Sequence, residues 1–268
     1  MTFVFPRRAP CDSKTPTHQL EMAKACEMGD LGTLENLFSS VKVSVSDTPT
    51  ERGIDPIPRS GPAATSDLLH SAITHNHTEI VKFLLRTYPS VSIASDVLLG
   101  SRYANPDLLT LKVLHSHDPS IVNYAMQQSD GLDYLLLDYC RDGDPRLAGY
   151  LLDNGADPNV EGFPLPNFCP LQIAINSCQP PWLTDKLIGY GAKVGLMEVT
   201  FAIQKQRMDI LELLLSHCQW RTYGRSPRKN MNIALRKAHE TGSEELIALV
   251  KKRIKKTKKN MSCWQIWT

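Results

Sequence analysis

Apolar positions recur along the chain in paired blocks. Each block opens with a short helix-like segment, passes through a small or polar turn, and closes with a second helix ending in paired aliphatics. The pattern runs through residues 23–38, 70–85, 136–152, 173–188, 201–215 and 237–250, with a weaker copy at 93–114. In the second segment of the 70–85 block, Ile80, Val81, Phe83, Leu84 and Leu85 form the broad stripe of a helix buried between neighbours. The first segments keep small residues near their centres, at Ala25, Cys26, Ala72, Ala174 and Ala202. Small side chains there let adjacent helix pairs approach closely, as stacked repeats require. One equivalent aliphatic per block (Leu37, Leu84, Val113, Leu151, Leu187, Leu214, Val250) gives a mean step of roughly 35 residues.

That period suits two helix-pair families, and the motifs separate them. The segment Asp67-Leu68-Leu69-His70 stands where ankyrin repeats carry Thr-Pro-Leu-His. Ala72-Ile73 takes the double-alanine place and Asn76-His77 the Gly-His turn. Cys169-Pro170-Leu171-Gln172 fits the same helix start, with Pro170 where a missing N–H costs nothing. Leu151 to Asn159, with Gly155 as a left-handed cap and Asp157-Pro158-Asn159 turning the chain outward, resembles a well-formed repeat end, and Gly189–Ala192 repeats it. The Trp, Tyr and Pro markers of tetratricopeptide repeats are missing at their offsets. The chain therefore resembles the ankyrin repeat family over roughly residues 19–250. The resemblance implies an all-α solenoid of stacked antiparallel helix pairs with short or irregular hairpin loops.

The expected organisation is a flexible segment at 1–16, a solenoid at 17–250 and a basic, aromatic tail at 251–268. Units fall near 17–40, 66–89, 93–118, 131–157, 169–193, 196–218 and 230–250. The shortest steps leave little room for projecting hairpins before the third and sixth units. Residues 41–66, 160–170 and 218–230 form enlarged loops instead.

Charge alters this picture at one place. The 268 residues carry 30 Lys plus Arg and 28 Asp plus Glu, a net of +2. Seven of these cations crowd into 251–259 as Lys251, Lys252, Arg253, Lys255, Lys256, Lys258 and Lys259, and removing them leaves −5 for the rest. Three roles are open to that run: capping the last helix, nuclear import or nucleic-acid contact, and attraction to an anionic membrane. Trp264 and Trp267 follow it directly. No apolar stretch reaches 18 residues, so no spanning helix is expected, and the N-terminal order does not suit a secretory signal. Seven cysteines without a CxxC pair argue for a reducing compartment, cytoplasmic or nuclear, and against a disulfide scaffold.

Chemical motifs are sparse. His70, His75 and His77 lie about 15 Å along a helix from His115 and His117, far beyond shared metal coordination, so no metal is expected. Gly189, Gly191 and Gly195 lack the strand and helix of a dinucleotide site and serve better as caps. No hydrolase elbow, zinc-protease or phosphate-loop signature occurs, and no catalytic residue or cofactor is expected. Carboxylates such as Asp142 and Asp144 sit at turns, where capping is usual. Cys26 and Cys140 fall on the small inner face of first helices and read as buried hydrophobes.

The resemblance implies a noncatalytic scaffold or adaptor, monomeric, that binds another protein. Its contact residues are expected on the enlarged loops, at Phe163, Phe168, Trp220, Arg221, Tyr223 and Arg225, because aromatic and Arg side chains anchor interfaces. Two other readings remain open: an enzyme with a pocket between the loops, and a nuclear regulator acting through the basic tail.

Overall fold

A computed structural model describes residues 15–41, 61–91, 93, 106–128, 131–162, 168–220 and 226–260. The chain divides into two compact units, Met1–Ile121 and Val122–Thr268.

The first unit contains α1 (Thr17–Met28), α2 (Leu31–Ser40), α3 (Thr65–Thr74), α4 (Thr78–Thr87) and α5 (Leu108–His117). Helix α1 packs on α2 and α3, and α4 packs on α3 and α5. Met22 and Cys26 on α1, Leu34 on α2 and Leu68 on α3 are wholly enclosed. Each such aliphatic contributes about 1.5–3 kcal/mol by leaving water. Phe38 of α2 meets the Phe83 ring edge-on at 5.3 Å and Tyr88 at 6.2 Å. Between α4 and α5 the buried hydroxyls of Thr78 and Thr110 share a 2.7 Å hydrogen bond. A 3₁₀ turn, Pro119–Val122, follows α5.

The second unit opens with an antiparallel hairpin, β1 (Ala125–Gln128) and β2 (Gly131–Tyr134), in which Ala125 faces Tyr134. Among the described residues four helix pairs follow: α6 (Leu135–Arg141) with α7 (Pro145–Asp153), α8 (Pro170–Asn176) with α9 (Pro181–Gly189), α10 (Leu196–Gln204) with α11 (Met208–His217), and α12 (Pro227–Glu240) with α13 (Glu244–Asn260). The first helices pack in the order α6, α8, α10, α12, and the second helices in the order α7, α9, α11, α13. The result is two helical layers, as the repeat pattern predicts, with one short β-hairpin added.

The turn inside the pair is left-handed in five of the six described helix pairs. Gly29, Asn76, Cys178, Gln206 and Gly242 all occupy the left-handed region, with φ between 53° and 77°. The next residue then turns its N–H back onto the first helix: Asp30 donates to Ala25, His77 to Ala72, Gln179 to Ala174 and Arg207 to Ala202, at 2.8–2.9 Å. These bonds satisfy carbonyls that the helix end leaves without partners. Gly29 is needed twice over, because a Cβ there would stand 2.7 Å from the His77 ring. Aspartates cap second helices, with Asp30 accepting from Thr33 N, Asp107 from Thr110 N and Asp144 from Arg146 N.

The last pair departs from the others. Helix α12 has 14 residues and α13 has 17, against 7 to 10 in the three preceding pairs. The basic run, set apart as a tail by its composition, lies inside α13. Ile254, 7% exposed, carries the apolar stripe of Leu246, Ile247 and Val250 about one turn further.

Candidate interaction surfaces

The finger before α8 brings Phe168 to the first-helix layer of the second unit. Gly162 N–H donates to the Phe168 carbonyl at 3.5 Å, closing the loop as an isolated antiparallel bridge. Pro170 at the first position of α8 then starts the helix immediately. The Phe168 ring lies 5.8 Å from that of Phe201 on α10, tilted by 32°. Both side chains are half-buried, and Met197, one turn before Phe201 on α10, is 38% exposed.

Glu198 holds this arrangement together from below. It is 4% exposed, accepts from Gly195 N at 2.7 Å through one carboxylate oxygen, and accepts from Gln172 Nε2 at 2.5 Å through the other. The first bond caps α10 and the second ties α10 to α8. A buried carboxylate is costly unless its oxygens are engaged. Here both are, so Glu198 sets the spacing of the two helices that present Phe168 and Phe201.

The nearby thiols are inert. Burial pushes Cys169 up to about 11, with the Glu198 charge adding to it, and pushes Cys218 up to about 12 for the same two reasons. Burial also raises Cys26 to about 12 and drives Cys140 higher still. All four stay protonated at neutral pH, the form that neither attacks carbon nor ligates metal.

The other candidates fall differently. Trp220 is 5% exposed and its carbonyl accepts from Nδ2 of the fully buried Asn230 at 2.8 Å. It is therefore a buried residue beside α12, which corrects its expected place on the surface: a large indole gains more from packing than from solvent. Phe163, Arg221, Tyr223 and Arg225 lie outside the described residues. Met197 and Phe201 were not singled out from the sequence, because both read there as ordinary helix positions.

On the second-helix layer, Trp182 of α9 is 44% exposed and lies over Gly149 of α7, where an added Cβ would meet the ring at 3.2 Å. One and two turns further on the same face, Lys186 Nζ and Tyr190 OH both reach the Asp153 carboxylate, at 2.7 and 2.6 Å. The Lys186 and Tyr190 hydrogen bonds hold the Asp153 carboxyl below its usual value of 3.8. The cluster stitches α7 to α9.

The histidines meet backbone carbonyls. His75 Nδ1 lies 2.8 Å from Ser71 O, His77 Nε2 3.0 Å from Glu27 O, and His117 Nε2 3.1 Å from Val91 O. Among the described residues no group of three His, Cys, Asp or Glu is placed to hold a metal, and no helix is long and apolar enough to cross a membrane.

The ankyrin repeat family model matches residues 68–96, the unit whose Asp67–His70 and Asn76-His77 carry the motif. The crystal structure of the human ASB11 ankyrin repeat domain superposes over 87% of this chain and 96% of its own length, with a TM-score of 0.56 at 18% identity. Residues 68–96 thus match an ankyrin repeat, and the fold is that of an ankyrin-repeat solenoid. A second structure, the Bd0816 predatory endopeptidase from Bdellovibrio bacteriovorus in complex with immunity protein Bd3460, reaches a TM-score of only 0.39 at 15% identity, covering 63% of this chain and 97% of that one. No curated protein matches the sequence significantly. Ankyrin repeats generally mediate protein–protein interaction, and such arrays are typically noncatalytic.

Proposed function

We propose that this ankyrin-repeat protein is a noncatalytic adaptor that binds another protein on the finger side of its second unit. The observation that carries this reading is the half-exposed pair of Phe168 and Phe201, drawn from successive repeats and backed by the buried Glu198. With Met197 beside it, the pair forms an apolar centre on rigid elements. Aromatic and Met side chains are enriched at the cores of protein interfaces, the rings for their large rigid area and Met for its adaptable thioether. Phe163, Arg221, Tyr223 and Arg225 are further contact residues in this proposal, and the protein acts as a monomer in the cytoplasm or nucleus. Affinity capture with Phe168→Asp and Met197→Asp variants tests the reading, because neither position is needed for the core.

A further inference from the structure

Helix α13 is amphipathic in an unusual sense: its apolar half is already occupied. Leu246, Ile247, Val250 and Ile254 are 0–7% exposed and pack against α11 and α12. Lys251, Lys252, Lys255, Lys256, Lys258 and Lys259 are all exposed along the rest of the helix surface, with Arg253 half-buried. Among the described residues none of these seven cations is held in an ion pair. The acidic pair Glu244 and Glu245 stands in the first turn, about 9 Å along the axis from Lys251.

We infer that the solvent face of α13 binds the phosphate backbone of double-stranded DNA without regard to sequence. At 3.6 residues per turn the six lysines fall into two rows, Lys251, Lys255 and Lys258 in one and Lys252, Lys256 and Lys259 in the other. Each row runs about 10 Å along the axis, and the two diverge by about 100° around it. Diverging rows suit a groove flanked by two phosphate strands: the B-form major groove is about 12 Å wide, comparable to a helix with its side chains. A flat anionic membrane meets both rows obliquely, each about 50° from the surface normal. A membrane-surface helix also anchors by inserting its apolar face, and here that face belongs to the protein core. The contact residues are lysines, compact charges suited to phosphates, rather than forked arginines that read base edges.

The test is fluorescence anisotropy of the full chain with a labelled mixed-sequence duplex of about 20 base pairs across 50–200 mM KCl. Six phosphate contacts give a slope of log K against log salt near about −5, an affinity loss of roughly 1,000-fold over that range. Replacing Lys252, Lys256 and Lys259 together by Gln lowers the slope's magnitude by about 2.7 and weakens binding at least about tenfold. The matching Lys→Arg triple retains both, and unchanged thermal melting confirms that α13 is intact in each variant. Absence of duplex binding at 50 mM KCl overturns the inference, as does a slope that the Gln variant leaves unchanged. Tighter binding to vesicles of equal parts phosphatidylserine and phosphatidylcholine than to the duplex also overturns it, in favour of a membrane.

Discussion

Asn159 makes to the turn after α9 the same two-point contact that Asn123 makes to the turn after α7. Asn123 Nδ2 donates to Gly155 O at 2.8 Å while its Oδ1 accepts from Asp157 N at 2.8 Å. Asn159 Nδ2 donates to Gly191 O at 3.0 Å while its Oδ1 accepts from Lys193 N at 2.9 Å. Both glycines sit at positive φ, 89° and 94°, which turns their carbonyls toward the preceding repeat. One amide thus satisfies a donor and an acceptor on its neighbour, and Asp157 links the two bridges by accepting from Asn159 N at 2.8 Å.

Asn159→Ala is expected to lower stability by about 1–2 kcal/mol, because two backbone groups lose their partner. Asn159→Asp keeps the acceptor for Lys193 N but loses the donor to Gly191 O, and falls between. Urea unfolding checks both; an unchanged midpoint for Asn159→Ala would remove the bridge from the stability account.

Gln206 holds φ 53° without the freedom of glycine. A left-handed residue with a Cβ is strained by about 1 kcal/mol or more, offset in part by the larger unfolded entropy of glycine. Gln206→Gly is expected to stabilise by about 0.5–1 kcal/mol. Asn76→Gly, at the equivalent turn, is expected to destabilise, because Asn76 Oδ1 accepts from Asp107 N at 2.6 Å and glycine cannot. Thermal melts of the two variants should move in opposite directions.

Gly149 leaves room for the Trp182 ring, so Gly149→Ala in the native chain sets a helix-propensity gain of about 1 kcal/mol against the displaced indole. The native-background change is expected to be neutral or destabilising. In a Trp182→Ala background the clash is gone, and the same substitution is expected to stabilise by about 1 kcal/mol. A double-mutant cycle in urea measures the difference as a coupling energy; a coupling of zero would show that the ring does not depend on the glycine.

The layers of this fold were legible in the sequence because small first-helix centres and aliphatic second-helix stripes repeat at a regular step. Pro170, Gly155 and Gly191 marked element ends because proline and positive-φ glycine act through the backbone alone. Side-chain placement was less legible. Trp220 stands in a loop rich in Arg and Tyr and reads as a surface aromatic, yet it is buried and Asn230, ten residues on, donates to its carbonyl. Phe201 reads as a helix interior residue, and only the stacking of α8 beside α10 brings it to Phe168. The basic run looked like an appendix because composition changes at Lys251, whereas Ile254 extends the buried stripe through it. Contacts between repeats decide these cases, and no single repeat contains them.

The central claim is that the Phe168, Met197 and Phe201 surface recruits a protein. Quantitative affinity capture from the native cell, comparing the unaltered chain with Phe168→Asp and Met197→Asp, tests it most directly. Trp182→Ser on the second-helix layer serves as a control, and thermal melting verifies that all are folded. A specific protein captured by the unaltered chain and by Trp182→Ser is expected to be lost, by about tenfold or more, from both finger-side variants. An identical set of captured proteins from the folded Phe168→Asp and Met197→Asp chains would contradict it.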